Sequence, residues 1–242
     1  MSPPVLPIVG WLVMGLLALA LIAVVGFFVV FLLAAMYETH HLRRLDYVPP
    51  GEARQLPKGK AGQHYDAALG VGCLAIGAFR DRESELTKVT VWLMVSEDGE
   101  IVVMITSWAR ALGYHIISRL DDGVWLYSSP VGNKADLSGL VAQASLPNKP
   151  FEAVYFFHRN RVVSADAPVV AFDPETLVDD LLEHERRRAE LTIARGWGRW
   201  LDPDHTRWRY TPRGALRLMM KLVLGGSTPH PRNDTVENLT PL

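Results

Sequence analysis

The residue types that do chemistry are present in this chain, but their spacing does not bring them together. Eight histidines are scattered through it, and none has a metal-ligating partner at helical spacing. His184-Glu185 opens like the helix motif of zinc proteases, yet Arg188 stands where the second histidine belongs, so the motif fails. His40-His41 could hold a surface metal ion, although two polar side chains at a membrane exit are the simpler account. Asp202, Asp204 and His205 could also ligate a cation, but Asp-Pro-Asp is an ordinary turn sequence. Glu97-Asp98-Gly99-Glu100 gathers carboxylates between two apolar runs and reads as a solvated turn instead of an acid–base pair. No glycine-rich phosphate loop, nucleophile elbow or dinucleotide fingerprint occurs. The single cysteine, Cys73, excludes an intrachain disulfide and a multi-cysteine zinc site. No catalytic residue, cofactor or metal ligand is assigned.

One segment does carry a chemical signal. Between Arg195 and Lys221 seven basic residues face two acidic ones, a local charge of +5, with aromatic rings interleaved. The whole chain of 242 residues has a net charge of −1, so this is a local feature and not the global excess of a nucleic-acid binder. Thr211 suits a helix N-cap and Pro212 the first helical position, with Gly225-Gly226 as the stop. Arg213, Arg217 and Lys221 then recur on one face, with Leu216, Met219, Met220, Val223 and Leu224 largely on the others. Basic, apolar and aromatic residues so arranged describe a helix at a membrane interface. The expected membrane-contact set is Trp197, Arg199, Trp200, Arg207, Trp208, Arg209, Arg213, Arg217 and Lys221, with anionic lipid headgroups as partner. Alternatively the same helix covers a sheet, its Arg stems lying over Trp rings.

A membrane contact needs an element that brings the segment to the bilayer. No charged side chain occurs from Met1 to Tyr37, and residues 8–36 are almost wholly apolar. As a helix those residues reach about 43 Å, against a hydrocarbon core of about 30 Å. The core is too long, and its upstream flank too uncharged, for a cleaved signal peptide. Arg43, Arg44, Arg54, Lys58 and Lys60 follow it, and the positive-inside rule places that side in the cytoplasm. The expected organisation is a transmembrane anchor over 1–37, a juxtamembrane linker over 38–63, a soluble α+β domain over 64–226 and a disordered tail over 227–242.

Within the domain, Val89, Val91, Leu93 and Val95 alternate against Thr90, Trp92 and Met94, the period of a strand. Asp98-Gly99 then predicts a hairpin pairing Val95 with Val102 and Leu93 with Met104, by a two-residue turn that sets Glu97 against Glu100. Asp122-Gly123 repeats the design between 114–120 and 124–129. A third hairpin is expected between 151–158 and 161–164 around Arg159-Asn160, and an edge strand at 169–172. These strands imply an antiparallel meander, able to curve or partly close. A helix follows, with Asp173 as N-cap, a stripe through Leu177, Leu181 and Ile193, and Gly196 as its stop.

Ser118-Arg119-Leu120-Asp121-Asp122-Gly123 and Asp136-Leu137-Ser138-Gly139-Leu140 resemble two motifs, SRLxDG and DLSGL, of an uncharacterised family of bacterial proteins. Its members similarly join an N-terminal membrane helix to a soluble domain. The resemblance implies that architecture and no activity. The expected function is a membrane-tethered, non-enzymatic binding or scaffold protein with a second contact through residues 195–225. The alternatives are a small-ligand or lipid-binding domain in a curved sheet, and an enzyme of unrecognised type.

Overall fold

The apolar N-terminal stretch forms one helix, α1 (Val5–Tyr37). Its Val13–Tyr37 portion is long and apolar enough to cross a membrane, with a mean hydropathy of 3.2 and no burial within the protein over its most apolar window. This computed structural model describes residues 5–42, 45–48, 57–81, 89–108, 111–131 and 136–224. Arg43, Arg44, Arg54, Gly225-Gly226 and the expected tail lie outside them.

The stretch expected as linker contains elements of its own. Strand β1 (His40–His41) follows α1 directly, then β2 (Leu45–Val48), and helix α2 (Lys60–Gly70) starts before Gln63. Strands β3 (Cys73–Asp81), β4 (Val89–Ser96), β5 (Val102–Trp108), β6 (Ala111–Leu120), β7 (Trp125–Ser129) and β8 (Val141–Ser145) continue the main sheet in the order β2-β3-β4-β5-β6-β7-β8. A short β9 (Val169–Val170) pairs with β6 near the expected edge strand. The path ends at β2 and β8 without closing. All pairs are antiparallel except β7–β8, which is parallel.

The β4–β5 register is the predicted one, Leu93 opposite Met104 and Val95 opposite Val102. The turn is longer than predicted. Gly99 N donates to Ser96 O and Ser96 N to Ile101 O, so Gly99, at φ 73°, takes the left-handed position after a four-residue turn. The register survives because the alternation of buried residues fixes it. Val91, Leu93, Val95, Val102 and Met104 face helix α4 (Leu177–Ala194) through Leu177 and Leu181. Met94, Val103, Ile105, Tyr114 and Ile116 face α2 and helix α3 (Phe151–Val163) on the other side. The sheet is thus covered on both faces.

The third hairpin does not exist: residues 151–163 are α3. Phe151, Val154, Tyr155, His158 and Val162 are its buried positions, a helical stripe. The Val, Tyr and Phe content suggests a strand, but packing of that stripe against the sheet overrides the propensity. Asp173 caps a turn instead of α4 itself: its Oδ1 accepts from Glu175 N at 2.9 Å, and α4 begins after Thr176. Gly196 does follow the helix, with φ 71°.

Candidate membrane-contact site and a polar cleft

Residues 198–210 fold as a hairpin, strands β10 (Gly198–Trp200) and β11 (Arg207–Tyr210), which the sequence pattern does not predict. Its turn has no Asn-Gly or Asp-Gly signal. Asp202 replaces it, accepting from Thr206 N at 2.8 Å, Thr206 Oγ1 at 2.6 Å and Arg207 Nε at 3.1 Å. Those bonds, Thr206's foremost, hold the Asp202 carboxyl well below the usual carboxylate range. Asp202 is therefore a turn cap, and His205 lies stacked on Trp200 at 4.8 Å. Among the described residues no three His, Cys, Asp or Glu side chains are placed to share a metal ion.

The hairpin is joined to the apolar helix. His40 lies opposite Trp208 and His41 opposite Arg207, and Leu42 N donates to Thr206 O at 2.9 Å. The His40 ring stacks on Trp208 at 4.5 Å. Helix α5 (Pro212–Leu224) follows β11, capped as expected by Thr211, whose Oγ1 accepts from Gly214 N at 3.1 Å. A Cβ at Gly214 would lie 1.9 Å from Trp197 O, so the helix can meet the hairpin this closely only with glycine there. Both α5 and β11 pack against α1.

All nine expected contact residues thus belong to one unit at the end of α1, but they do different things there. The Arg195 guanidinium lies over the Trp197 ring at 5.2 Å, and that of Arg217 at 4.6 Å. Lys221 Nζ donates to Asp136 O at 2.8 Å. Trp200 faces Trp208 across the hairpin, and Arg199 faces Arg209. Arg199 and Arg213 are exposed, as is Arg207, which pairs with Asp202. Arg stems over a Trp ring belong to the covering-helix reading, and exposed cations beside α1 to the membrane reading; the unit has both.

The Asp136–Leu140 loop ties this unit to the sheet. Arg188 Nε donates to Asp136 Oδ1 at 3.1 Å, and Arg195 Nη1 donates to Leu137 O at 2.9 Å. Ser138 Oγ and Gly139 N close the loop on Asp136 Oδ2. Both α4 and α5 therefore grip the same five residues.

Two further polar groups lie on opposite faces of the sheet. On the α3 face, His158 sits between Ser118 Oγ, 3.0 Å from Nε2, and Ser128 Oγ, 2.9 Å from Nδ1. Ser118 donates its proton to Glu100 O at 2.7 Å, so it must accept from His158 Nε2–H. Arg161 Nη1 donates to Ser128 Oγ at 3.0 Å, leaving Ser128 to donate to Nδ1. These hydroxyl–imidazole distances suit activation of a nucleophile, but all three side chains are fully buried and their protons are committed. The network fastens α3 to β6 and β7.

On the α4 face, a cleft of about 410 Å³ lies between the β6–β7 turn and α4. Its lining includes Arg119, Asp122, Trp125, Asp180, His184 and Arg187. Arg119 Nη1 donates to Asp180 Oδ2 at 3.0 Å. The His184 ring stacks on Trp125 at 3.9 Å. Its Nε2, and Arg119 Nε, are buried without a hydrogen-bond partner. The cleft can hydrogen-bond a small polar molecule.

No protein-family model, curated protein or solved structure matches this chain, so the likeness of its two motifs to a bacterial family brings no activity to it.

Proposed function

We propose that this protein is a single-pass membrane protein whose non-enzymatic binding domain is mounted on the cytoplasmic leaflet. The observation that carries the reading is the pairing of β1 with β11. A loose linker would let the domain wander from the bilayer. Here the chain leaves α1 and within three residues is a strand of the hairpin, so the helix axis fixes the pose of the domain. That pose puts Arg207, opposite His41, beside the helix exit, with Arg209 on the same strand and Arg199 on the next. Each basic residue at an anionic leaflet adds about 1 kcal/mol of attraction, and the Trp rings favour the same depth. The basic residues following α1 support a cytoplasmic domain.

Two measurements on the full chain test this. The protein should remain with membranes through an alkaline carbonate wash and leave only with detergent; recovery in the aqueous wash would end the tether. In bilayer nanodiscs the Leu42 amide should exchange slowly with solvent, as a paired strand does. Exchange at the rate of an unstructured peptide would end the rigid mount and leave the tether standing.

A further inference from the structure

The exposed side of α5 points to a partner that its basic residues do not. A helix on a water-facing surface turns its cations outward and its apolar stripe inward. In α5 apolar side chains share the outer side with the cations. Arg213 and Arg217 are exposed, Arg217 with its guanidinium over the Trp197 ring, and Lys221 reaches back to Asp136 O. Leu216 and Met220, one turn apart on the same face, are 45% and 50% exposed. On α1, Phe28, Phe31, Leu32, Ala35 and Met36 are the covered positions, a single stripe, and Ala35 is only 5% exposed. That stripe belongs to the last turns of the helix that is long enough to cross a membrane, and α5 packs against α1.

We infer that the outward apolar face of α5, carried by Leu216 and Met220, binds lipid acyl chains at the edge of the leaflet from which α1 emerges. The inference rests on the reading of α1 as a membrane span. It names hydrocarbon, not headgroup charge, as what α5 binds. A helix packed beside the emerging end of a span shares its depth, and its open side there meets the solvent that surrounds the span. Amphipathic helices of this build lie at the boundary between headgroups and acyl chains. The exposed cations of the hairpin remain at headgroup level above it. A second copy of the chain is the competing occupant of the same face.

The test uses the full chain in nanodiscs of purely zwitterionic lipid, with an environment-sensitive fluorophore on a single introduced cysteine. The native Cys73 is buried and is left in place. Labels at Leu216→Cys and Met220→Cys should emit as in an apolar medium and lose most emission to lipids with a quencher high on the acyl chain. A label at Leu19→Cys, central in α1, should be quenched most by a deep quencher, and one at Glu190→Cys, exposed on α4, by neither. Adding anionic lipid should leave the 216 and 220 signals unchanged. If Leu19 is unquenched, the span itself fails. If Leu19 is quenched while 216 and 220 emit as in water, only this inference falls. It falls also if their apolar emission resists lipid quenchers and declines as the protein is diluted in lipid, because a second copy then covers the face.

Discussion

His158 and His184 occupy opposite faces of one sheet and differ in a single respect. Both are buried, and burial pushes each imidazole down to about 3, helped by the charge of Arg161 in one case and Arg188 in the other. Both rings are therefore neutral near pH 7. His158 has a partner on each nitrogen, whereas Nε2 of His184 faces no partner and its ring lines a cleft. The α3 face has used its polar capacity to fix the fold. The α4 face has kept some of its own. A depressed histidine is thus no sign of function by itself; what separates the two is whether the hydrogen bonds are complete.

The comparison breaks most visibly at His158. His158→Ala removes a fully buried ring and strands two buried hydroxyls, so it should cost about 3–5 kcal/mol, read by chemical denaturation in detergent. The cost divides between the lost volume and the unpaired Ser118 and Ser128. A loss below about 1 kcal/mol would show that the network does not hold α3, and the contrast with the other face would disappear.

Acid should act on both faces alike. Each folded imidazole titrates at about 3, and an unfolded one near 6.5, so between those values the unfolded state binds more protons. Stability then rises with pH across that window and is lost as pH falls below 6.5. The slope is about 1.4 kcal/mol per pH unit for each histidine, before carboxylates enter at lower pH. Denaturation between pH 6.5 and 5 should show stability falling with acid, with His64, also held down by burial, adding to the slope, and a variant lacking either ring should show a smaller fall. A flat profile would mean that neither histidine is held neutral by burial.

How much of this was legible depends on whether the signal was local. The Asp98-Gly99 and Asp122-Gly123 hairpins were readable because the turn and the alternation agree within a dozen residues. The Thr211–Pro212 start of α5 was readable for the same reason. Helix α3 was misread because Phe151–Val163 suits a strand by composition, and its helical stripe becomes decisive only against α2 and the sheet. The β10–β11 hairpin was missed because its cap, Asp202 to Thr206, is not a glycine turn. The nine contact residues were legible as a cluster, but their division between protein-facing and outward-facing required the pose of α5. The cleft was out of reach: Arg119 and Asp180 are distant in sequence and meet only when α4 docks on the assembled sheet.

The smallest expected effect sharpens the comparison most. His184→Phe keeps a flat ring on Trp125, where the present rings are 3.9 Å apart and 13° from parallel, and removes the unpartnered nitrogen. Replacing an orphaned polar atom by carbon relieves desolvation and gives up no bond, so the change in stability should stay within about 1 kcal/mol and can be favourable. Ring stacking is retained, and the slightly larger ring can extend toward the open cleft. The same replacement at His158 would sacrifice two hydrogen bonds in a sealed core. If both cost several kcal/mol in denaturant, His184 Nε2 has a partner in solution after all and the two faces are equivalent. If only His158→Phe is costly, the α4 cleft carries hydrogen-bonding capacity that folding does not consume, and that capacity is available to a ligand.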